Sequence, residues 1–256
     1  MNPLFFGATS RQLFGIHHPP LGRSARPRSV VLCPTLGQEH IRAHRAYRQL
    51  AIQLARQGHH VLRFDYYGTG DSAGFAQDAT MEDWLADIGT AAEELQDMGG
   101  PKDLVLVGLR FGGALVAQAQ KVADGRDVVL WDPVVRGKAY VDELNAIIGG
   151  TAPASGATEE VVGIGGVHVS RALHAGITAS DLTSLRMRGV RRALVLLSRA
   201  DPDSERLANS LRQDGADVTL RTVPMASSWD DADAFGGVLL PQESIRAIVS
   251  FIEGSS

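Results

Sequence analysis

The sequence predicts an α/β fold in which a mostly parallel central sheet carries helices on both faces. Short apolar runs such as Ser29–Cys33 are typical of strands that are buried on both sides. These runs alternate with segments in which apolar residues recur at helical spacing, as between His44 and Gln57. Such alternation favours βαβ units with parallel strands. The 256 residues suit one domain that is large enough to hold a small insertion.

Each predicted element has its own local signal. Residues 4–18 alternate and turn around Gly7, so we expect a hairpin at the edge of the sheet. Gly58 ends the first helix, and Thr80 caps a second helix that continues to Leu95. The other predicted elements are strands at 61–64, 104–107, 128–131, 192–198 and 217–223, and helices at 112–122, 204–212 and 242–252.

Regular alternation stops in the middle of the chain. A long loop without secondary structure is rare inside a compact domain, so this segment is expected to form a small helical cap over the site, with a mobile stretch at 149–157. The prediction therefore divides the chain into a core, residues 1–134 and 189–256, and a cap or lid insertion, residues 135–188.

The most informative motif is the segment Val105–Ala114, in which an apolar strand runs through a turn into a helix. It has the layout of a nucleophile elbow, Gly-X-nucleophile-X-Gly, whose central residue must be Ser, Cys or Asp. Arg110 stands at that centre. Its guanidinium stays protonated and offers no lone pair, so Arg110 cannot attack a carbonyl.

The other triad positions of an α/β-hydrolase fold support the same conclusion. Asp201 follows the strand at 192–198, where the acid is expected. The loop after the strand at 217–223 contains Trp229 and no histidine, and all eight histidines lie at or before His174. Nucleophile and base are both missing from register, which argues against hydrolysis by a triad.

Four motifs carry a family resemblance over nearly the whole chain: Cys33–Glu39, Leu62–Ser72, Gly108–Gly112 and Leu130–Val134. In them the chain resembles the α/β-hydrolase superfamily, and in particular the exosortase-associated hydrolase-like proteins, which also carry arginine at the elbow. In fold, size and triad loss it is also similar to the atypical α/β-hydrolase-fold epimerases of bottromycin biosynthesis. That second resemblance implies action on an aspartate α-carbon in a ribosomally made peptide that contains a thiazoline.

Two of the triad positions have a structural and a functional interpretation each. Arg110 is either a buried cation that pairs with Glu39 or with Asp201, or a guanidinium that binds a substrate carboxylate through two N–H groups. We favour the first interpretation. Asp201 is either a working acid or the cap of the next helix, with Pro202 at the first helical position, and the cap is favoured. Neither position is therefore assigned a catalytic role.

Several residues are candidates for substrate binding. The backbone at Leu36–Gln38 occupies the oxyanion-loop position, where its N–H groups could bind a developing enolate. Trp229 is interpreted as part of an exposed ligand face, because nothing else in its polar loop needs an indole. His168 and His174 in the cap stay open as candidates. The predicted binding set is Leu36, Gly37, Gln38, His40, Arg110, Phe111, Val134, Met225 and Trp229.

Composition narrows the classes of partner and cofactor. A net charge of −4 with scattered arginines argues against nucleic acid, and no apolar run approaches the roughly twenty residues that span a bilayer. A single cysteine and the absence of a signal-peptide pattern lead us to expect a cytoplasmic protein. We expect no metal and no cofactor, because the histidines and glycines follow none of the usual ligand spacings.

These observations leave three hypotheses. The leading one is a non-hydrolytic epimerase of a modified peptide, in which a substrate aspartate serves as the base, since a positioned intramolecular base can be very effective. The second is a hydrolase or acyltransferase with a relocated nucleophile at Cys33, Ser72 or Ser198. The third is a pseudohydrolase that only binds a peptide or acyl ligand.

Overall fold

An eight-stranded sheet runs through the centre of the computed structural model, which describes residues 1–119, 123, 125–147, 161–225, 229 and 241–254. The strands are β1 Asn2–Phe6, β2 Leu13–His18, β3 Ser29–Cys33, β4 His60–Phe64, β5 Leu104–Leu109, β6 Asp127–Trp131, β7 Val161–Ile164, β8 Val167–Ser170, β9 Arg192–Leu197 and β10 Asp217–Thr222. The helices are α1 Gly37–Arg56, α2 Met81–Asp97, α3 Phe111–Gln118, α4 Gly137–Ile147, α5 Arg171–Ala179, α6 Pro202–Gln213 and α7 Gln242–Glu253.

The sheet has the strand order β1-β2-β4-β3-β5-β6-β9-β10. The first two strands form the expected antiparallel hairpin, β2 pairs antiparallel with β4, and all later pairs are parallel. Because parallel strands share one direction, their carboxyl ends meet at one edge, and that edge carries the elbow after β5. This is the α/β-hydrolase fold, as the sequence predicts.

Helices cover both faces of the sheet and divide the core into two layers. On one face α1 and α7 pack through residues such as Leu50, Leu54 and Ile248. On the other face α2, α3 and α6 pack through residues such as Trp84 and Leu115. Both layers consist of fully buried side chains, so the sheet is a rigid support for whatever its carboxyl edge carries.

Helix α1 begins at Gly37, seven positions before the predicted start at His44. The residue before it, Leu36, makes no side-chain capping bond, so the usual Ser, Thr, Asp or Asn signal for a helix start is absent. As a result Gln38, Glu39 and His40 lie in the first turn of a helix rather than in a loop.

The predicted cap segment contains more than helices. Helices α4 and α5 are present, but a two-stranded antiparallel hairpin, β7 and β8, lies between them. Its turn is Gly165-Gly166, and both residues have positive φ, 53° and 82°, which only glycine adopts without strain. The predicted cap thus has helices, as expected, and in addition a short hairpin. The stretch at 149–157 that we predicted to be mobile lies outside the described residues, as do 120–122 of the predicted helix 112–122.

Candidate active site

The elbow after β5 has the strained geometry of its motif although its central residue is arginine. Arg110 has φ 51° and ψ −119°, a rare combination for a residue other than glycine. Its neighbours must be small: a Cβ on Gly112 would lie 2.3 Å from the Cys33 carbonyl oxygen, and a Cβ on Gly108 would lie 2.2 Å from that of Gly112. The backbone thus still presents the central side chain at the carboxyl edge of the sheet.

Glu39 and Tyr140 hold the Arg110 side chain in place. The Nε of Arg110 donates to Glu39 Oε1 at 2.7 Å, and its guanidinium carbon lies 5.4 Å from the centre of the Tyr140 ring. A weaker contact joins Arg110 to Glu143, at 3.4 Å. Burial alone would lower the pKa of Arg110, but Glu39, Tyr140 and Glu143 outweigh it and the pKa lies above its ordinary value. Arg110 is therefore a permanently charged and paired residue.

Glu39 is the hub of this cluster and is only 1% exposed. Besides the Arg110 bond, its Oε2 accepts from the Thr35 hydroxyl at 2.8 Å and from the Tyr140 hydroxyl at 2.6 Å. Burial raises the pKa of Tyr140, and the charge of Glu39 raises it further, so the phenol stays protonated as a donor. Glu39 also lies in the first turn of α1, where the helix dipole favours a negative charge.

We call Arg110, Glu39, Tyr140 and Thr35 the elbow cluster. Every charge in it is matched, and Phe111 closes it from one side by stacking on Tyr140 with ring centres 5.9 Å apart. Of the two interpretations of Arg110, the structure has the pairing with Glu39. Sequence reasoning did not find Tyr140 and Glu143, which lie three residues apart on α4 and meet the elbow only through the fold.

Asp201 is used as a helix cap. Its Oδ2 accepts from the backbone N–H of Ser204 at 2.8 Å and from the Ser204 hydroxyl at 2.6 Å, and Pro202 occupies the first position of α6. This is the arrangement that the favoured interpretation predicted.

Trp229 is buried, which corrects the expectation of an exposed ligand face. It is 3% exposed, and its ring packs edge-on against Trp131 with centres 5.3 Å apart. Its Nε1 donates to Asp132 Oδ2 at 2.7 Å, while Asp132 Oδ1 accepts from the backbone N–H of Ser198 at 2.6 Å. Asp132 itself has φ 42°. The indole is thus anchored to the core by a carboxylate that the sequence places 97 residues earlier.

A polar cavity of about 110 Å³ remains between the elbow and these two residues. Arg110, Asp132, Ser198, Asp201 and Trp229 are in its wall. The cavity is large enough for several water molecules or a small polar group. It therefore brings together the three degenerate triad positions.

The rest of the predicted binding set does not converge on this cavity. Leu36, Phe111 and Val134 are buried in the core. Gly37 is half-buried, Gln38 is exposed, and Met225 packs against the layer under α1 and α7. His40 lines a different, larger cavity of about 370 Å³. Of the two cap histidines, His168 is exposed and His174 is half-buried, and neither is in the wall of a described cavity.

The chain also matches a known protein family. The model of the hydrolase family described as serine aminopeptidase, S33, matches residues 26–166, more than half of the chain. The chain belongs to that family.

Curated relatives and solved structures agree with this placement. Over 90 residues the chain is 31% identical to the mitochondrial palmitoyl-protein thioesterase ABHD10 of Homo sapiens and to that of Pongo abelii. The match covers 35% of this chain and 28% of each relative, so the chain aligns with less than a third of their length.

Two enzymes of known structure share the fold over almost their whole length. Est1E from Butyrivibrio proteoclasticus, solved with ferulic acid, has a TM-score of 0.68 at 14% identity and 98% coverage of both chains. Proline iminopeptidase from Mycobacterium smegmatis has a TM-score of 0.64 at 10% identity, covering 99% of this chain and 98% of its own. At such identities the likeness is one of fold.

Membership of the S33 family sharpens the question of the missing nucleophile. Cys33 is fully buried and burial raises the pKa of its thiol, so it is protonated near neutral pH. Ser72 donates to the Asp65 carbonyl at 2.6 Å and accepts from the Phe14 N–H at 2.8 Å. Within the described ranges, no histidine is hydrogen-bonded to Cys33, Ser72 or Ser198.

Proposed function

We propose that this S33-family protein binds an acyl or peptide ligand at the cavity beside Arg110 and acts on it without a serine–histidine–aspartate triad. The observation that supports this most is the elbow cluster: the nucleophile position holds a cation whose charge is matched by Glu39. Asp201, at the acid position, is committed to α6 as its cap. A site of this kind offers binding and polarisation rather than nucleophilic attack.

Our finer proposal is epimerisation of an aspartate α-carbon beside a thiazoline in a ribosomally made peptide. The proton leaves the α-carbon, the electron pair of the C–H bond delocalises into the adjacent ring and carbonyl, and a proton returns to the opposite face, so mass is conserved. The substrate's own carboxylate would be the base, which fits a protein whose acids near the elbow are already engaged. Backbone N–H groups in the first turns of α1 and α3 would stabilise the enolate.

The test is exchange in deuterated water with a thiazoline-bearing peptide. One deuteron should enter the α-carbon beside the ring, with no cleavage product. A matched peptide with asparagine in place of that aspartate should bind but not exchange, because it lacks the base. Absence of exchange with the aspartate peptide, despite binding, would leave a pseudohydrolase that only holds its ligand.

Hydrolysis is the second candidate, because Ser198 lies in the wall of the same cavity as Arg110 and Asp201, and the family and its relatives are hydrolases. An acyl thioester and an aryl ester are suitable probes. Turnover that Ser198→Ala abolishes would favour this candidate over epimerisation. Arg110→Ser is the matched variant: it places a serine at the elbow without a histidine, so it should add no turnover of either probe.

A further inference from the structure

A second cavity lies between α1 and the strands β2 and β4, and Thr35 of the elbow cluster is part of its wall. Its volume of about 370 Å³ falls in the range of small-molecule sites, about 300–1,000 Å³. Much of its wall is apolar and comes from Phe14, Ile16, Pro34 and Ala43. Two side chains of opposite charge, Arg63 and Asp65, face it as well.

Arg63 is a buried cation without a carboxylate partner. It is 8% exposed, and its Nε donates to His18 Nε2 at 3.2 Å. In the part of the chain that the structure describes, no Asp or Glu lies within ion-pair distance of it. Burial lowers the pKa of Arg63, Arg48 lowers it further, and Asp65 opposes them only in part. Since a guanidinium has five N–H donors, four remain for whatever enters the cavity.

Asp65 is the complementary group, and in the described part of the chain no Arg or Lys lies within ion-pair distance of it. It follows β4 two residues after Arg63, so both side chains project from the same face of the chain. Its Oδ2 accepts from the backbone N–H of Asp71 at 3.1 Å, but its Oδ1 is 3.8 Å from His40 Nε2, beyond hydrogen-bond distance. Burial lowers the pKa of His40 although Asp65 opposes this, so the imidazole is neutral near pH 7 and leaves the charge of Asp65 uncompensated.

We propose that this cavity is a binding site for a free α-amino acid with an apolar side chain. Arg63 would hold the carboxylate through two parallel N–H groups, Asp65 Oδ1 would accept from the ammonium, and the side chain would pack on Phe14, Ile16 and Ala43. A simple anion would meet the carboxylates of Asp65 and Asp71, and a simple cation would meet Arg63. Only a zwitterion matches both unpaired charges.

Calorimetric titration with three ligands that share one aromatic body tests this directly. L-Phenylalanine has both charges, 3-phenylpropanoate only the carboxylate, and 2-phenylethylamine only the ammonium. We expect phenylalanine to bind about tenfold or more tightly than either analogue, the usual size of one charged hydrogen bond. Equal binding of either analogue, or no binding of phenylalanine and leucine at millimolar concentration, would overturn the proposal.

Matched variants locate the effect. Arg63→Gln and Asp65→Asn should each weaken phenylalanine about tenfold, and the amide oxygen that Asp65→Asn introduces could still accept from the Asp71 N–H. Arg45→Gln, which removes an exposed arginine on α1 outside the cavity wall, should leave affinity unchanged. The melting temperature of Arg63→Gln should not fall, because no ion pair is lost. A lower melting temperature with unchanged affinity would make Arg63 structural and refute the site. Arg63 and Asp65 are not in the wall of the cavity beside Arg110, so these variants test the second cavity separately from the function proposed for the elbow.

Discussion

Two of the largely buried arginines, Arg110 and Arg63, differ in what surrounds them. Arg110 is bonded to a buried glutamate that two hydroxyl groups also contact. Arg63 has a neutral histidine as its hydrogen-bond partner and opens into a cavity. A buried charge that is paired with an opposite charge of the protein contributes to the fold. A buried charge without a counterion still attracts one. Arg110, which stands at the position that the motif marks as functional, is thus the arginine whose charge is already paired.

This difference bears on how the S33-family scaffold is used here. The elbow backbone persists, with Arg110 at φ 51°, although its side chain cannot do the chemistry for which the elbow is known. The geometry is kept in place by the close contacts of Gly108 and Gly112, which do not depend on the central residue. The shape of an elbow can therefore be present without its usual nucleophile, and function has to be argued from the groups present.

The largest effect should come from removing the hub of the elbow cluster. Glu39→Gln leaves Arg110 with only its weaker contact to Glu143, so the free energy of unfolding should fall by about 3 kcal/mol. Urea denaturation measures this. Asp142→Asn breaks an exposed pair with Lys138 instead and should change stability by less than about 0.5 kcal/mol.

If the Glu39→Gln protein is as stable as the wild type, the comparison fails, because the charge of Arg110 would then be no better compensated than that of Arg63. Arg63→Gln provides the opposite arm, since it removes a cation that has no carboxylate partner in the described chain and should cost little.

A smaller effect should appear as a pH dependence at His18, the partner of Arg63. Burial, and then the charge of Arg63, lower the pKa of His18 from 6.5 to about 4. The unfolded chain then takes up the proton first as the pH falls, so this histidine's contribution is complete above 6.5 and is lost between 6.5 and 4. The wild type should lose about 1–2 kcal/mol more than His18→Gln between about pH 7 and pH 5.

The variant is the control for the other histidines. Burial also lowers the pKa of His17, His40, His44, His59 and His60, which contribute in the same direction in both proteins. Identical pH profiles of wild type and His18→Gln would mean that His18 titrates normally, and Arg63 would then need another account.

Most of the fold could be predicted because its signals are local. Buried strands such as β3 are continuous apolar runs, and Thr80 caps α2 through its bonds with Asp83, as its residue type predicts. The start of α1 could not be predicted because Leu36 provides no cap. The hairpin in the cap could have been, since Gly165-Gly166 between two apolar segments is a turn signal.

The candidate site was less predictable because its contacts are distant in sequence. Arg110 and Asp201 were recognised from their positions in the motif order, and Glu39 from its charge. Tyr140 could not be assigned, since nothing local shows that α4 places its hydroxyl on a carboxylate 101 residues earlier. Arg63 and Asp65 lie inside a recognised motif, but only the fold shows that Arg63 has no carboxylate within ion-pair distance among the described residues and that Asp65 lies 3.8 Å from His40.

The smallest effect should follow changes at Asp201, and it separates the cap from a catalytic acid. Asp201→Ala removes the bonds to the Ser204 N–H and hydroxyl, which should cost about 1 kcal/mol, whereas Asp201→Asn keeps an acceptor and should cost a few tenths. Under the proposed epimerisation, both variants should exchange deuterium into the peptide at nearly the wild-type rate, because that proposal places the base in the substrate. If Asp201→Asn is stable and binds the peptide but loses all exchange, the base belongs to the protein. Asp201 would then be both a helix cap and a catalytic base. The comparison of Arg110 with Arg63, in contrast, assigns each charged residue either to the fold or to a ligand.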